Sequence, residues 1–185
     1  MMLRQIPNLL TLLRLLLVPP VVFLLLERRF AEAAGWFALA ALSDLLDGQL
    51  ARRFGWSSRL GGLLDPLADK LLVNGCFLAL WWIGEISGWL PGLVLARDAV
   101  ILAGAGAYAA RIGPLQPEPT LLGKLNTVGQ MLFLGLVMLD LGLTAEPSHW
   151  WSAGVLVIVL LTVASGVDYV VRWSLRARDA RGKTP

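Results

Sequence analysis

Six apolar runs of about twenty residues, separated by short breaks that collect the charge, constrain this chain more than any other feature. A run of that length crosses the hydrocarbon of a bilayer as an α-helix, and in lipid only helices and closed barrels satisfy their own backbone polar groups. The runs read Asn8 to Leu26, Glu32 to Arg53, Leu60 to Ile83, Trp89 to Ala110, Leu121 to Leu141 and Trp150 to Val171. Of the 185 residues 57% are hydrophobic and 16% charged, with a mean hydropathy of +0.69, which excludes an ordinary soluble domain. The expected fold is all-α, a polytopic membrane protein of about six transmembrane helices, read as one domain over residues 1–185 with a basic tail at about 173–185.

The charge pattern sets the partners and the orientation. The net charge of +3 reflects the basic tail, Arg176, Arg178, Arg181 and Lys183, and suits an anionic lipid surface rather than nucleic acid. Lys and Arg gather at the two ends and in the second and fourth loops, so that side is expected to be cytoplasmic. The chain then sits as a multi-pass protein in the cell's inner, cytoplasmic membrane with both termini inside. Arg28 and Arg29, in the first outer loop, run against the trend. Glu27, Arg28, Arg29 and the Pro19-Pro20 break argue that the first run is a retained span, kinked at the prolines, and not a signal peptide. Cys76 is the single cysteine, which excludes an internal disulfide and reads as packing; with His149 it makes no zinc pattern. His149 precedes Trp150 and Trp151 and belongs at the membrane interface.

Against that background, the stretch Ser43 to Lys70 carries four aspartates, Asp44, Asp47, Asp65 and Asp69. A carboxylate at membrane depth is costly unless it is paired, hydrated or bound to a cation, so it marks a functional site by default. Asp44 and Asp47 lie one turn apart on a helix, with Gly48 and Ala51 on the same stripe; Asp65 and Asp69 repeat the pattern on the next helix. Four convergent hard oxygens suit Mg²⁺ or Mn²⁺. Gly48, Ala51, Gly61 and Gly62 leave room beside them, and Arg52 offers a bidentate fork for a phosphate. Together these point to chemistry on a diphosphate. The plainer reading pairs the acids with Arg52, Arg53, Arg59 and Lys70 at a helix boundary.

Written out, the stretch is D-x-x-D-G-x-x-A-R, eight residues, then G-x-x-x-D-x-x-x-D. It resembles, without a gap, the signature of the CDP-alcohol phosphotransferase family. The resemblance implies two divalent ions, Mg²⁺ or Mn²⁺, held by Asp44, Asp47, Asp65 and Asp69, with Asp69 also the general base. It also implies Gly48, Ala51, Arg52 and Gly61 around the nucleotide and diphosphate. In the first span Asn8, Thr11 and Arg14 recur every third residue and form one polar stripe. A similar P-N-x-L-T-x-x-R run in the family lines the nucleotide and diphosphate pocket; the alternative is an interfacial helix with Arg14 facing lipid.

The activity so implied is transfer of a phosphatidyl group from CDP-diacylglycerol to the hydroxyl of an alcohol, with release of CMP, at the cytoplasmic side. The acceptor is expected to be a lipid or a glycerol phosphate. Arg97-Asp98 in ARDAVILAGAGAY, and Lys124, Asn126 and Thr127 in GKLNTVGQ, resemble the corresponding stretches of CMP-forming cardiolipin synthases, whose acceptor is phosphatidylglycerol. Phosphatidylglycerophosphate synthases look similar but carry a second lysine where this chain has Asn126. These five residues are the candidate acceptor contacts. Members of the family commonly look dimeric, so a homodimer is expected by analogy. From a different class, a divalent-cation transporter would also gather carboxylates near a helix break, but has no need of D-G-x-x-A-R.

Overall fold

The computed structural model describes the backbone of residues 6–54, 61–111, 120–144 and 148–181, and the side chains of residues 11–44, 67–108, 110, 120–144 and 148–176. Within them the chain forms six helices and no strand: α1 Ile6–Leu26, α2 Phe30–Phe54, α3 Gly61–Trp82, α4 Trp89–Arg111, α5 Leu121–Thr144 and α6 Trp150–Arg181. Each coincides with an apolar run to within a few residues, apart from α6, which carries on into the basic tail. The connector at residues 113–119 and part of the loop at residues 54–58 lie outside the described residues.

The chain is a polytopic membrane protein. Trp89–Tyr108, Leu121–Thr144 and Trp150–Arg176 are long and apolar enough to cross a bilayer, and Thr11–Leu26 is a shorter apolar stretch of the same kind. Large apolar side chains point outward along them, Leu16 at 64% exposure and Leu143 at 83% among them. That surface costs nothing in lipid, which is as apolar as leucine.

Helix α1 packs on α2 and α3, α5 on α6 and α2, and α4 on α6, with smaller contacts from α3 to α4 and α5. The apolar core gathers Leu17 to Leu25 of α1, Ala33 to Ala40 of α2, Leu72 to Leu80 of α3 and Phe133 to Leu141 of α5. These are the halves of the helices next to the turns α1–α2, α3–α4 and α5–α6. Cys76 is fully buried there, as packing requires. Glycines bring backbones together at two places. A Cβ on Gly142 of α5 would lie 2.9 Å from the backbone nitrogen of Ala31 in α2, and one on Gly75 of α3 3.1 Å from Val22 of α1.

Two of those turns share one construction. Helix α1 ends with Arg29 N–H donating to Leu24 C=O (2.9 Å) and Arg28 N–H to Leu25 C=O (3.0 Å). Helix α3 repeats it, with Glu85 N–H donating to Leu80 C=O (2.9 Å) and Gly84 N–H to Trp81 C=O (3.0 Å). Both are Schellman caps, whose C′ residue needs a left-handed backbone. Gly84 supplies it at φ 85°, and Arg28 adopts it at φ 58° despite its Cβ. The third turn is closed by Asp140 near the end of α5. Its carboxylate accepts hydrogen bonds from Ser148 N–H (3.0 Å), Ser148 Oγ (2.6 Å) and Trp151 Nε1 (2.7 Å), tying down the start of α6.

Pro19 and Pro20 sit inside α1, which runs through them as one helix. A proline in lipid is tolerated where neighbouring helices re-satisfy the freed carbonyls, and α1 lies against both α2 and α3.

Candidate active site

Arg14 is the hinge of the site. It lies on α1 one turn before the apolar core begins, and it is completely buried (0% exposure). Its Nη2 lies 2.8 Å from Asp44 Oδ1 of α2, and its Nη1 donates a 2.8 Å hydrogen bond to Asp69 Oδ1 of α3. One guanidinium therefore joins three helices. The fork geometry of arginine makes this possible, since its two terminal nitrogens can each meet a different carboxylate. The acids retain part of their surface, 31% for Asp44 and 22% for Asp69, while the arginine has none. A lipid-facing Arg14 is thereby corrected: an unpaired guanidinium in hydrocarbon is expensive, and two carboxylates supply the partners.

Thr11, the next member of the α1 stripe, is buried at 2% exposure. Asn8 lies on the backbone of α1, and its side chain is outside the described residues. The same holds for Asp47, Gly48, Ala51 and Arg52 on α2 and for Gly61 and Asp65 on α3. On the helical backbone, Asp47 stands one turn beyond Asp44 and Asp65 one turn before Asp69. Among the described residues no group of three His, Cys, Asp or Glu side chains is placed to hold a metal. Asp44 and Asp69, part-exposed carboxylates from two helices that both pack on α1, are hard oxygen donors of the type a divalent cation takes.

Lys70 does not pair with these aspartates. It reaches α4, where its Nζ lies 2.5 Å from Asp98 Oδ1. Asp98 also accepts from Asn74 Nδ2 (3.3 Å) one turn along α3, and from Arg97 Nη1 (2.9 Å) beside it. Arg97 in turn donates from Nη2 to Ser165 Oγ (2.5 Å) on α6, and its guanidinium carbon stands 5.6 Å from the centre of the Tyr169 ring. Arg97 and Asp98 lie in a protein-lined interior: both are largely buried, and groups from α3, α4 and α6 meet around them.

The remaining candidates lie on α5. Asn126 and Gln130 are buried at 0% and 5% exposure and share Thr162 of α6: Gln130 Nε2 donates to Thr162 Oγ1 (3.3 Å), which donates to Asn126 Oδ1 (2.9 Å). Thr127 turns its hydroxyl to Gly123 C=O of its own helix (3.2 Å), and Lys124 is exposed. Thr120 caps α5, accepting from Gly123 N–H at 3.0 Å. The sequence reading missed Ser165, Thr162 and Tyr169. Their spacing, i, i+3 and i+7, places them on one face of α6, a polar stripe in an otherwise apolar helix and the signal that would have found them.

A sequence model of the CDP-alcohol phosphatidyltransferase family matches residues 4–167, which contain the residues of both clusters except Tyr169. The chain belongs to this family. Its relatives include proteins named as cardiolipin synthases and as phosphatidylglycerophosphate synthases. It is 34% identical over 189 residues to a probable CMP-forming cardiolipin synthase of Drosophila melanogaster, covering 90% of this chain and 56% of the relative. It is 34% identical over 180 residues to a probable phosphatidylglycerophosphate synthase of Mycobacterium tuberculosis, covering 91% of this chain and 81% of the relative. A CMP-forming cardiolipin synthase of Streptomyces coelicolor is 38% identical over 143 residues, 74% of this chain and 66% of the relative. The chain thus spans little more than half of the insect relative and most of the mycobacterial one. Members of the family are enzymes of phospholipid biosynthesis.

Proposed function

We propose that this chain transfers the phosphatidyl group of CDP-diacylglycerol to the hydroxyl of phosphatidylglycerol, forming cardiolipin and CMP. One observation carries the reading: Asp44 and Asp69, from the two halves of the signature, are drawn to a single guanidinium while staying partly open. Asp44, Asp47, Asp65 and Asp69 would hold two Mg²⁺ or Mn²⁺ ions. Bound there, such ions neutralise charge on the diphosphate and on the departing CMP. The chain's own groups do the rest. Asp69 takes the proton of the attacking hydroxyl as its oxygen bonds to the phosphatidyl phosphorus and the bond from phosphorus to CMP breaks. Arg52 grips the diphosphate, Gly48, Ala51 and Gly61 leave room for the nucleotide, and Asn8 and Thr11 line its pocket.

The acceptor contacts in this reading are Arg97, Asp98, Lys124, Asn126 and Thr127. What favours phosphatidylglycerol is the neutral Asn126, where phosphatidylglycerophosphate synthases carry a second lysine, which leaves Lys124 as the exposed cation of the five. Arg97 and Lys70 share Asp98, Arg97 is further engaged by Ser165 and Tyr169, and Asn126 is bonded to Thr162. That suits the single charge of a phosphodiester headgroup better than the doubly charged phosphate of glycerol 3-phosphate. The second reading, phosphatidylglycerophosphate synthesis, draws on the mycobacterial relative, of which the chain covers 81%.

In the same reading the aspartate end faces the cytoplasm, in the inner membrane, with both termini there. Arg28 and Arg29 at the other end run against it and are outnumbered by the Lys and Arg of this side.

The test is purified protein in detergent with Mg²⁺ and CDP-diacylglycerol, offered phosphatidylglycerol or glycerol 3-phosphate separately. CMP with cardiolipin is expected. CMP with phosphatidylglycerophosphate would replace it with the second reading, and no CMP with any alcohol would refute the transfer reaction.

A further inference from the structure

Arg14 falls in a stripe whose family counterpart lines a nucleotide pocket, yet its surroundings suit a different task. A phosphate-gripping arginine must present its fork to the ligand. Here the side chain is fully covered, Nη1 is given to Asp69 and Nη2 to Asp44, and the exposed part of the triad belongs to the acids. The positive charge lies beneath the carboxylates, on the side where α1 meets the apolar core.

We propose that Arg14 is a positioning residue, the resident counter-charge that holds Asp44 of α2 and Asp69 of α3 at one end of the bundle, and that it does not contact the diphosphate. The physical need is plain. Carboxylates brought together from two helices repel each other, and inside a membrane protein that repulsion is weakly screened. The bridge from α1 offsets it and fixes the separation of two side chains that belong to different helices. A lysine could offset the charge but could not fork between two carboxylates. The proposal rests on the reading of these aspartates as the cation-holding cluster.

It predicts a stability that depends on divalent ions when Arg14 is lost. Melting is compared for the full chain in detergent, in EDTA and in saturating Mg²⁺, for wild type, Arg14→Gln, Arg14→Lys and the double variant Asp44→Asn/Arg14→Gln. In EDTA, Arg14→Gln is expected to melt roughly 10 °C lower than wild type, because a buried pair has lost one partner. Saturating Mg²⁺ should restore more than half of that loss. The double variant, with one acid neutralised, should also recover more than half of it in EDTA, and Arg14→Lys should lose less than half as much. If Arg14→Gln yields no folded protein, the double variant and Arg14→Lys carry the same comparison.

A loss of equal size in EDTA and Mg²⁺, not offset by Asp44→Asn, would overturn the proposal and leave Arg14 as packing. A raised KM for CDP-diacylglycerol with no loss of melting in EDTA would overturn it in favour of a phosphate contact. Should Mg²⁺ shift neither wild type nor variant, the cation reading of the aspartates fails. The recovery in the double variant would then still decide for or against Arg14 as counter-charge.

Discussion

Arg14 inside α1 and Arg28 in the turn that ends it are both arginines, and they are used in opposite ways. At the aspartate end Arg14 is buried, bridges two acids from two helices and has no surface of its own. At the far end Arg28 is 57% exposed and meets Glu85 and Ile83 C=O across a turn. An exposed pair of this kind contributes about 0–1 kcal/mol, whereas breaking a buried one by removing a partner costs about 3–5 kcal/mol. The bundle therefore divides by role. The half near the turns is a packed apolar core closed by backbone caps, and it holds the helices together. The other half is where acids, a buried arginine and a hydrogen-bonded network are placed, and it is the half to which the proposed chemistry is assigned.

Replacing residues at each end sharpens the contrast. The larger effect is expected from Arg97→Gln, which leaves Asp98 with Lys70 and Asn74 and takes a donor from Ser165 and a cation from the Tyr169 ring. Melting should fall by about 5–10 °C, and the KM for the acceptor should rise about tenfold, both read on the purified protein. An unchanged KM with the same melting loss would make Arg97 a purely structural member of the network. The smallest effect is expected from Arg28→Gly at the other end. Glycine relieves the left-handed backbone at φ 58° while the Glu85 pair is lost, so the two changes nearly cancel. Melting should stay within about 2 °C of wild type, with activity unchanged. A fall comparable to that of Arg97→Gln would erase the distinction between the ends.

The six helices were legible because lipid leaves a chain few options: each apolar run had to become a helix, and their ends fell where charge, Gly and Pro interrupt the runs. The aspartates were legible for the same reason, as acids without an evident partner in apolar sequence. Their partner was not. Arg14 lies 30 residues from Asp44 and 55 from Asp69, and only the packing of α1 on both α2 and α3 brings them together. The plainer alternative paired them with nearby basic residues; of these Lys70, next to Asp69, lies on a different face of α3 and belongs to Asp98, and the side chains of Arg52, Arg53 and Arg59 are outside the described residues. Helical register shows which face a residue occupies; which helix that face meets is a property of the whole bundle.

The central claim is that the aspartate end performs the transfer and that Asp69 accepts the proton of the attacking alcohol. Asp69→Asn tests it most directly, with CMP release from CDP-diacylglycerol and Mn²⁺ binding measured on the same preparation. CMP release is expected to fall by at least about 100-fold, as loss of a general base requires, while at least one Mn²⁺ remains bound through the other acids. CMP release within a few-fold of wild type would contradict the account.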